Sequence, residues 1–184
     1  MNTPITAEKA IQHTKNWLKT VIIAHNICPF AKREFDKESI HYEVIHSAEM
    51  EEQLQSLISN CQLLDSDKNL ETSLLIYPKG LNDFDDYLDF LAMANALLEK
   101  QGYEGIYQLA SFHPNYCFEG VEADDASNYT NRAPYPTLHL IREASLEKVL
   151  ENYPEPEKIP QRNIEYTRQL GSQAMQNMLD KCLQ

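Results

Sequence analysis

Hydrophobic positions along the chain switch between helical and strand-like spacing. From Thr6 to about His25, Ala7, Ile11, Leu18, Val21 and Ile22 fall on one stripe, flanked by Trp17 and with Lys9, Lys15 and Lys19 mostly off it, which predicts an amphipathic helix. Pro29 ends it by biasing Cys28 away from helical backbone. Ile40 to His46 has the β-branched and aromatic content of a strand. Ser47 is an N-cap candidate for a helix burying Leu54, Leu57, Ile58 and Cys61. Thr72 to Tyr77 is a short apolar run closed by Pro78 and Gly80, as expected of a central strand. Asn82 is the candidate cap of the next helix, whose first turn carries Asp83, Asp85 and Asp86. Its expected core face is Phe84, Leu88, Leu91 and Leu98, and Gly102 terminates it.

Ile106 to Phe112 and Thr137 to Ile141 read as a third and a fourth strand. Ser145 begins a short helix that stops before Pro154. Beyond Pro156 one last helix carries Ile164, Leu170, Ala174, Met178 and Cys182 on its stripe. Alternation of this kind predicts parallel crossovers with helices covering a sheet. The expected fold is a single α/β domain over the whole chain. Its mixed sheet has about four strands, the fourth a candidate for antiparallel pairing, and a ferredoxin-like α+β sandwich is the alternative.

Charge then narrows the function. Lys and Arg number 16 against 28 Asp and Glu, a net charge of −12 on 184 residues. Nucleic-acid binders and anionic-lipid binders draw their affinity from clustered cations, so both classes are excluded as partners. No apolar run approaches the ~18 residues of a membrane span. Glu8, Lys9, Lys15 and Lys19 interrupt the first 20 positions, leaving no signal-peptide core, and a cytosolic location is expected. Cys28, Cys61, Cys117 and Cys182 form no C-x-x-C pair and read as free thiols. Within that set, Cys61 and Cys182 read as small buried hydrophobes.

Between the third and fourth strands lies an unusually long loop, Asn115 to Pro136. Loops beyond about 12–15 residues are uncommon in compact domains unless functional or disordered. Tyr116, Phe118, Tyr129 and Tyr135, with Pro134 and Pro136, predict an ordered loop packed over something. If the second and third strands are parallel, their carboxyl ends share the edge where open α/β sheets place ligands. Ser111 to Phe118, then Asp125, Asn128 to Arg132 and Pro134 to Glu143, together with Asn26-Ile27-Cys28-Pro29-Phe30-Ala31 and Asp83 to Phe90, resemble the DUF1415 family over nearly the whole chain. The resemblance implies a shared set of site residues and no particular activity.

Several of these residues carry chemistry. Pro29 is a natural first helical residue, so Cys28 is a candidate cap of the segment through Phe35. It reads as a thiol nucleophile or metal ligand, against a buried Cys beside Phe30. His113 and His139 are candidates for proton transfer, against structural histidines bonded to loop carbonyls. Cys28, His113, Cys117 and His139 could be arranged as a zinc set, but only His113 and Cys117 are close in sequence; neither a metal nor a cofactor is expected. Arg132 and Arg142, oriented by Asn128 and Asn131, form a candidate anion clamp, against arginines that pin the loop through carboxylates. No glycine-rich phosphate loop is present.

The expected function is a small-molecule enzyme acting on an anionic metabolite. Cys28, His113 and His139 would be catalytic, and Arg132, Arg142, Asn128 and Asn131 would bind the ligand. A non-catalytic binding module built on the aromatic 113–136 loop is the alternative. The geometric expectation is one pocket uniting His113, Arg132 and His139, with Cys28 in its wall.

Overall fold

The apolar runs assemble into a four-stranded sheet in a computed structural model that describes residues 5–184. Strands β1 (Ile40–Val44), β2 (Thr72–Ile76), β3 (Tyr107–Phe112) and β4 (Thr137–Arg142) are ordered β1-β2-β4-β3. The β1–β2 pair is parallel, and β4 is antiparallel to both β2 and β3. The sheet is therefore mixed, and β2 and β3 run in the same direction on either side of β4. Their last residues, Ile76 and Phe112, both face Thr137 in register. Two helical crossovers followed by an antiparallel insertion give a βαβαββ order, which is not that of a ferredoxin-like sandwich.

Side chains alternate across the strands, so each sheet face carries its own core. Leu75, Tyr77, Leu138, Leu140 and Tyr107 pack on one face against α3 (Met50–Ser66) and α4 (Phe84–Lys100). Leu74 and the partly buried Ile40, Tyr42 and Phe112 pack on the other against the N-terminal helical segment and the C-terminal helices. That segment begins as α1 (Ala7–Trp17), with the Thr6 hydroxyl accepting from Lys9 N–H, and widens over Leu18–Ile23 into a π-helical stretch. The i→i−5 bonds there run from Ala24 N–H to Lys19 O and from Ile27 N–H to Ile22 O. π-Stretches recur at functional sites, and this one contributes Leu18 and Ile22 to a cavity wall.

Several boundaries differ from the sequence reading. The first helical segment stops before Pro29 as expected, at a turn where Asn26 adopts φ 51°, a left-handed conformation that Asn tolerates. Helix α2 is Ala31–Asp36 with Phe30 at its N-cap, so Cys28 does not cap it. Helix α3 begins after Glu49, while the Ser47 hydroxyl accepts from Glu49 N–H. Asp83, not Asn82, caps α4, accepting from the N–H groups of Asp85 and Asp86. The buried stripe of α4 is Tyr87, Phe90, Ala94 and Leu98, and Leu88 is exposed. After α5 (Glu143–Glu151) the expected single C-terminal helix is two, α6 (Ile159–Leu170) and α7 (Ser172–Lys181). Gly171 breaks it at φ 85° and ψ 150°, which turns the chain out of the helical path. Among the described residues no helix is long and apolar enough to cross a membrane.

Candidate functional site

The sheet face carrying Leu74, Phe112 and His139 is roofed by α2, α5 and α6, and between roof and sheet lies a cavity of about 670 Å³. Its floor comes from alternate strand residues: Ile40 on β1, Thr72 and Leu74 on β2, His139 and Ile141 on β4, and Phe112 on β3. Trp17 and the π-stretch close one side. Leu146 and Val149 of α5, with Ile159 and Ile164 of α6, close another. The 115–136 loop contributes Phe118, Val121 and Asn131. From the Phe112–Thr137 rung to the Thr72–Ile141 rung is four residues of β4, about 13 Å at ~3.3 Å per residue. The lining is overwhelmingly apolar with a few polar groups, as small-molecule sites are.

His139 stands in the middle of this floor. Its Nε2 lies 2.7 Å from Thr72 Oγ1, and that hydroxyl donates its only proton to Leu140 O. The hydroxyl can then only accept from the ring, so Nε2 carries the proton and Nδ1 is left as a lone-pair acceptor. Desolvation brings the His139 pKa down to about 4, so the ring is neutral at physiological pH. Cys28 lines the same cavity. Burial pushes its thiol pKa up, and the backbone N–H groups of Phe30 and Ala31 offset part of that rise. Two further polar atoms of cavity-lining residues are buried without a hydrogen-bond partner, Trp17 Nε1 and Glu71 Oε1.

The other candidates lie elsewhere. His113 is 0% exposed and belongs to the opposite sheet face, under the rings of Phe84 and Tyr87 of α4. Its Nε2–H donates to Leu81 O and its Nδ1 accepts from Asn115 N–H, so both nitrogens are occupied in holding loops. Desolvation lowers its pKa as well. The two histidines were expected in one pocket, but strand alternation after β3 sends His113 one way and register on β4 sends His139 the other.

Arg132 also stands outside the cavity. It donates to Tyr116 O and Ala123 O and lies 4.5 Å over the Tyr129 ring, bracing the long loop. Arg142 donates to Leu64 O, Leu70 O and the Tyr107 hydroxyl, tying the end of α3 to β3. Asn128, 0% exposed, donates to Glu122 O and Ala123 O and accepts from Phe118 N–H. Asn131 is the one member of the expected clamp that lines the cavity, and its amide donates to Ser111 O. Of the sequence-derived candidates the structure therefore brings together Cys28, His139 and Asn131.

The loop is packed and forms no outward aromatic patch. Tyr129 is buried and donates to Gln176, Tyr116 packs at an angle to Phe84 and edge-on to Phe118, and the Tyr135 hydroxyl bonds His13. Cys117 Sγ bonds Val121 O, and among the described residues no three His, Cys, Asp or Glu side chains gather as a metal site. Sequence reasoning missed Trp17, Glu71 and Thr72 as cavity residues. The first lies beside its helix stripe and the other two open an apolar strand, so no local signal marks them.

No curated protein and no solved structure matches the chain. The comparison with protein families matches residues 9–177 to one described as a protein of unknown function, DUF1415. Over that span the chain belongs to the DUF1415 family.

Proposed function

We propose that the protein binds a small molecule with an apolar body in the cavity over the His139 face of the sheet. The observation that carries this reading is the cavity itself: about 670 Å³, within the range of pockets that hold drug-sized ligands, with apolar walls and sparse polar groups. Four free cysteines, two of them buried, favour a reducing compartment, and we place the protein in the cytosol. The arginines singled out for an anion are held by backbone carbonyls, which leaves the anionic-metabolite reading without support from a preformed clamp. A neutral apolar dye, N-phenyl-1-naphthylamine, tests the reading. Saturable fluorescence enhancement is expected with the wild type and its loss with Val149→Phe, which narrows the cavity from α5. No saturable signal from the folded wild type would overturn it.

A second reading makes the protein an enzyme, with Cys28 as nucleophile and His139 as base. It is favoured by the two backbone N–H groups that interact with the Cys28 sulfur and stabilise negative charge there. Alkylation by iodoacetamide at neutral pH separates the two. The enzyme reading requires Cys28 to react faster than a denatured-state thiol, whereas its raised pKa in a purely binding pocket makes it slower.

A further inference from the structure

Most polar groups around the cavity are already matched, and the exception fixes what a ligand must carry. Asn131 donates to Ser111 O, Asn163 to Ile27 O, and the Thr130 hydroxyl to Ser127 O. Arg168 makes a bidentate pair with Asp125, and Arg33 pairs with its neighbour Glu34. Trp17 Nε1 and Glu71 Oε1 have no partner among the described residues, but both are sealed by packing and offer a ligand no contact. His139 is different. It is only partly buried although it sits mid-sheet beneath the roof, so its remaining surface faces the cavity. Its Nδ1 also has no partner among the described residues, yet it is not one of the sealed atoms, so its lone pair opens onto the cavity.

We infer that the ligand is a neutral apolar molecule carrying a hydroxyl, which donates to His139 Nδ1 while the apolar body covers Leu74, Phe112 and Ile141. This rests on the pocket reading proposed above and adds the head group. The Thr72 hydroxyl is committed to Leu140 O, which keeps the ring proton on Nε2 and makes Nδ1 an acceptor only. Around it the same sheet face is apolar: Leu74 and Ala110 lie directly across from His139, Ile141 lies two residues along β4, and the Phe112 ring is 6.4 Å away. A carboxylate there would set lone pair against lone pair. An ammonium would bond Nδ1 once and leave its other two donors, and its charge, against apolar side chains. A hydroxyl is the smallest neutral group that donates. The hydroxyls of Ser127 and Ser145 and the Cys28 thiol also line the cavity, but they rotate to donate or accept and impose no polarity of their own.

Four straight-chain probes test the inference at pH 7.5, each below its solubility limit and micelle-forming concentration: n-octanol, its methyl ether, n-octylamine and n-octanoate. Trp17, the chain's single tryptophan, lies in the cavity wall and reports binding by its fluorescence, with thermal shift as the independent readout. Octanol is expected to bind tightest, about tenfold tighter than the ether that lacks its donor, with octanoate weakest. In His139→Leu, which removes the acceptor and keeps the floor apolar, octanol and its ether are expected to bind alike. Equal binding of octanol and ether to the wild type, or tightest binding of the amine or the carboxylate, overturns the hydroxyl assignment and leaves the pocket reading standing. A preference for octanol that survives in His139→Leu overturns His139 as its acceptor. No response to any of the four overturns the pocket reading as well. The wild-type ranking alone decides the head group should His139→Leu fold poorly.

Discussion

Protonating His139 should destabilise the protein, and the size of the effect follows from the cavity. Folding lowers the His139 pKa from an ordinary 6.5 to about 4 because the charged ring would lose its hydration against the apolar walls. A depressed histidine pKa means that the unfolded chain binds more protons than the folded one between those values. Stability is therefore complete above pH 6.5, falls as the pH drops from there, and levels off below about pH 4. Between pH 7.5 and pH 5 the loss assigned to this one ring is about 2 kcal/mol, from 1.36 kcal/mol per pKa unit. For a chain of this length that corresponds to roughly 4–8 °C in melting temperature.

His139→Gln isolates the effect, since its amide N–H can still donate to the Thr72 hydroxyl but cannot take up a proton. His13 and His113, whose pKa values are also lowered, contribute equally to both proteins and drop out of the comparison. Thermal or urea denaturation of each at pH 7.5 and pH 5 is the assay. The wild type should lose about 2 kcal/mol more than the variant on acidification. Equal losses would mean that the ring protonates freely in the folded state, and the description of His139 as a neutral acceptor in an apolar floor would be refuted.

Other substitutions separate the frame from the site. His113→Leu removes two buried hydrogen bonds on the far face and should cost about 2–3 kcal/mol in urea denaturation while leaving N-phenyl-1-naphthylamine binding intact. Tyr87→Phe deletes the hydroxyl that donates to Thr137 O and accepts from Phe112 N–H, and should destabilise by about 1–3 kcal/mol in the same assay. Arg142→Ala releases the end of α3 from β3, with a loss of about 2–3 kcal/mol and slower-exchanging amides near Leu64 becoming faster in hydrogen-exchange measurements. Thr72→Val leaves His139 Nε2–H without its acceptor and should lower stability by about 1–3 kcal/mol in urea denaturation.

Sequence patterning alone determined the strands and most of the helices. The Thr72–Ile76 run is buried at every position, so its apolar continuity reads directly as a central strand. The three aspartates after Asn82 mark the start of α4 whichever of them caps it, and the packed 115–136 loop follows from its aromatics and prolines. Cys28 and His139 were legible as candidates because their types are chemically versatile, Cys28 beside the turn former Pro29 and His139 in the strand that follows the long loop. The tertiary structure decided which candidates meet. Strand pairing sets which side of the sheet a residue faces, and a shift of one position exchanges the faces, so nothing local separates His113 from His139. Long-range packing likewise chose the α4 stripe through Tyr87 over Leu88, because the Tyr87 hydroxyl finds partners on β3 and β4 that no window of helix contains. The cavity exists only where α2, α5 and α6 close over Leu74, Phe112 and His139. Its walls join residues far apart in the chain that become neighbours when the sheet and its roof come together.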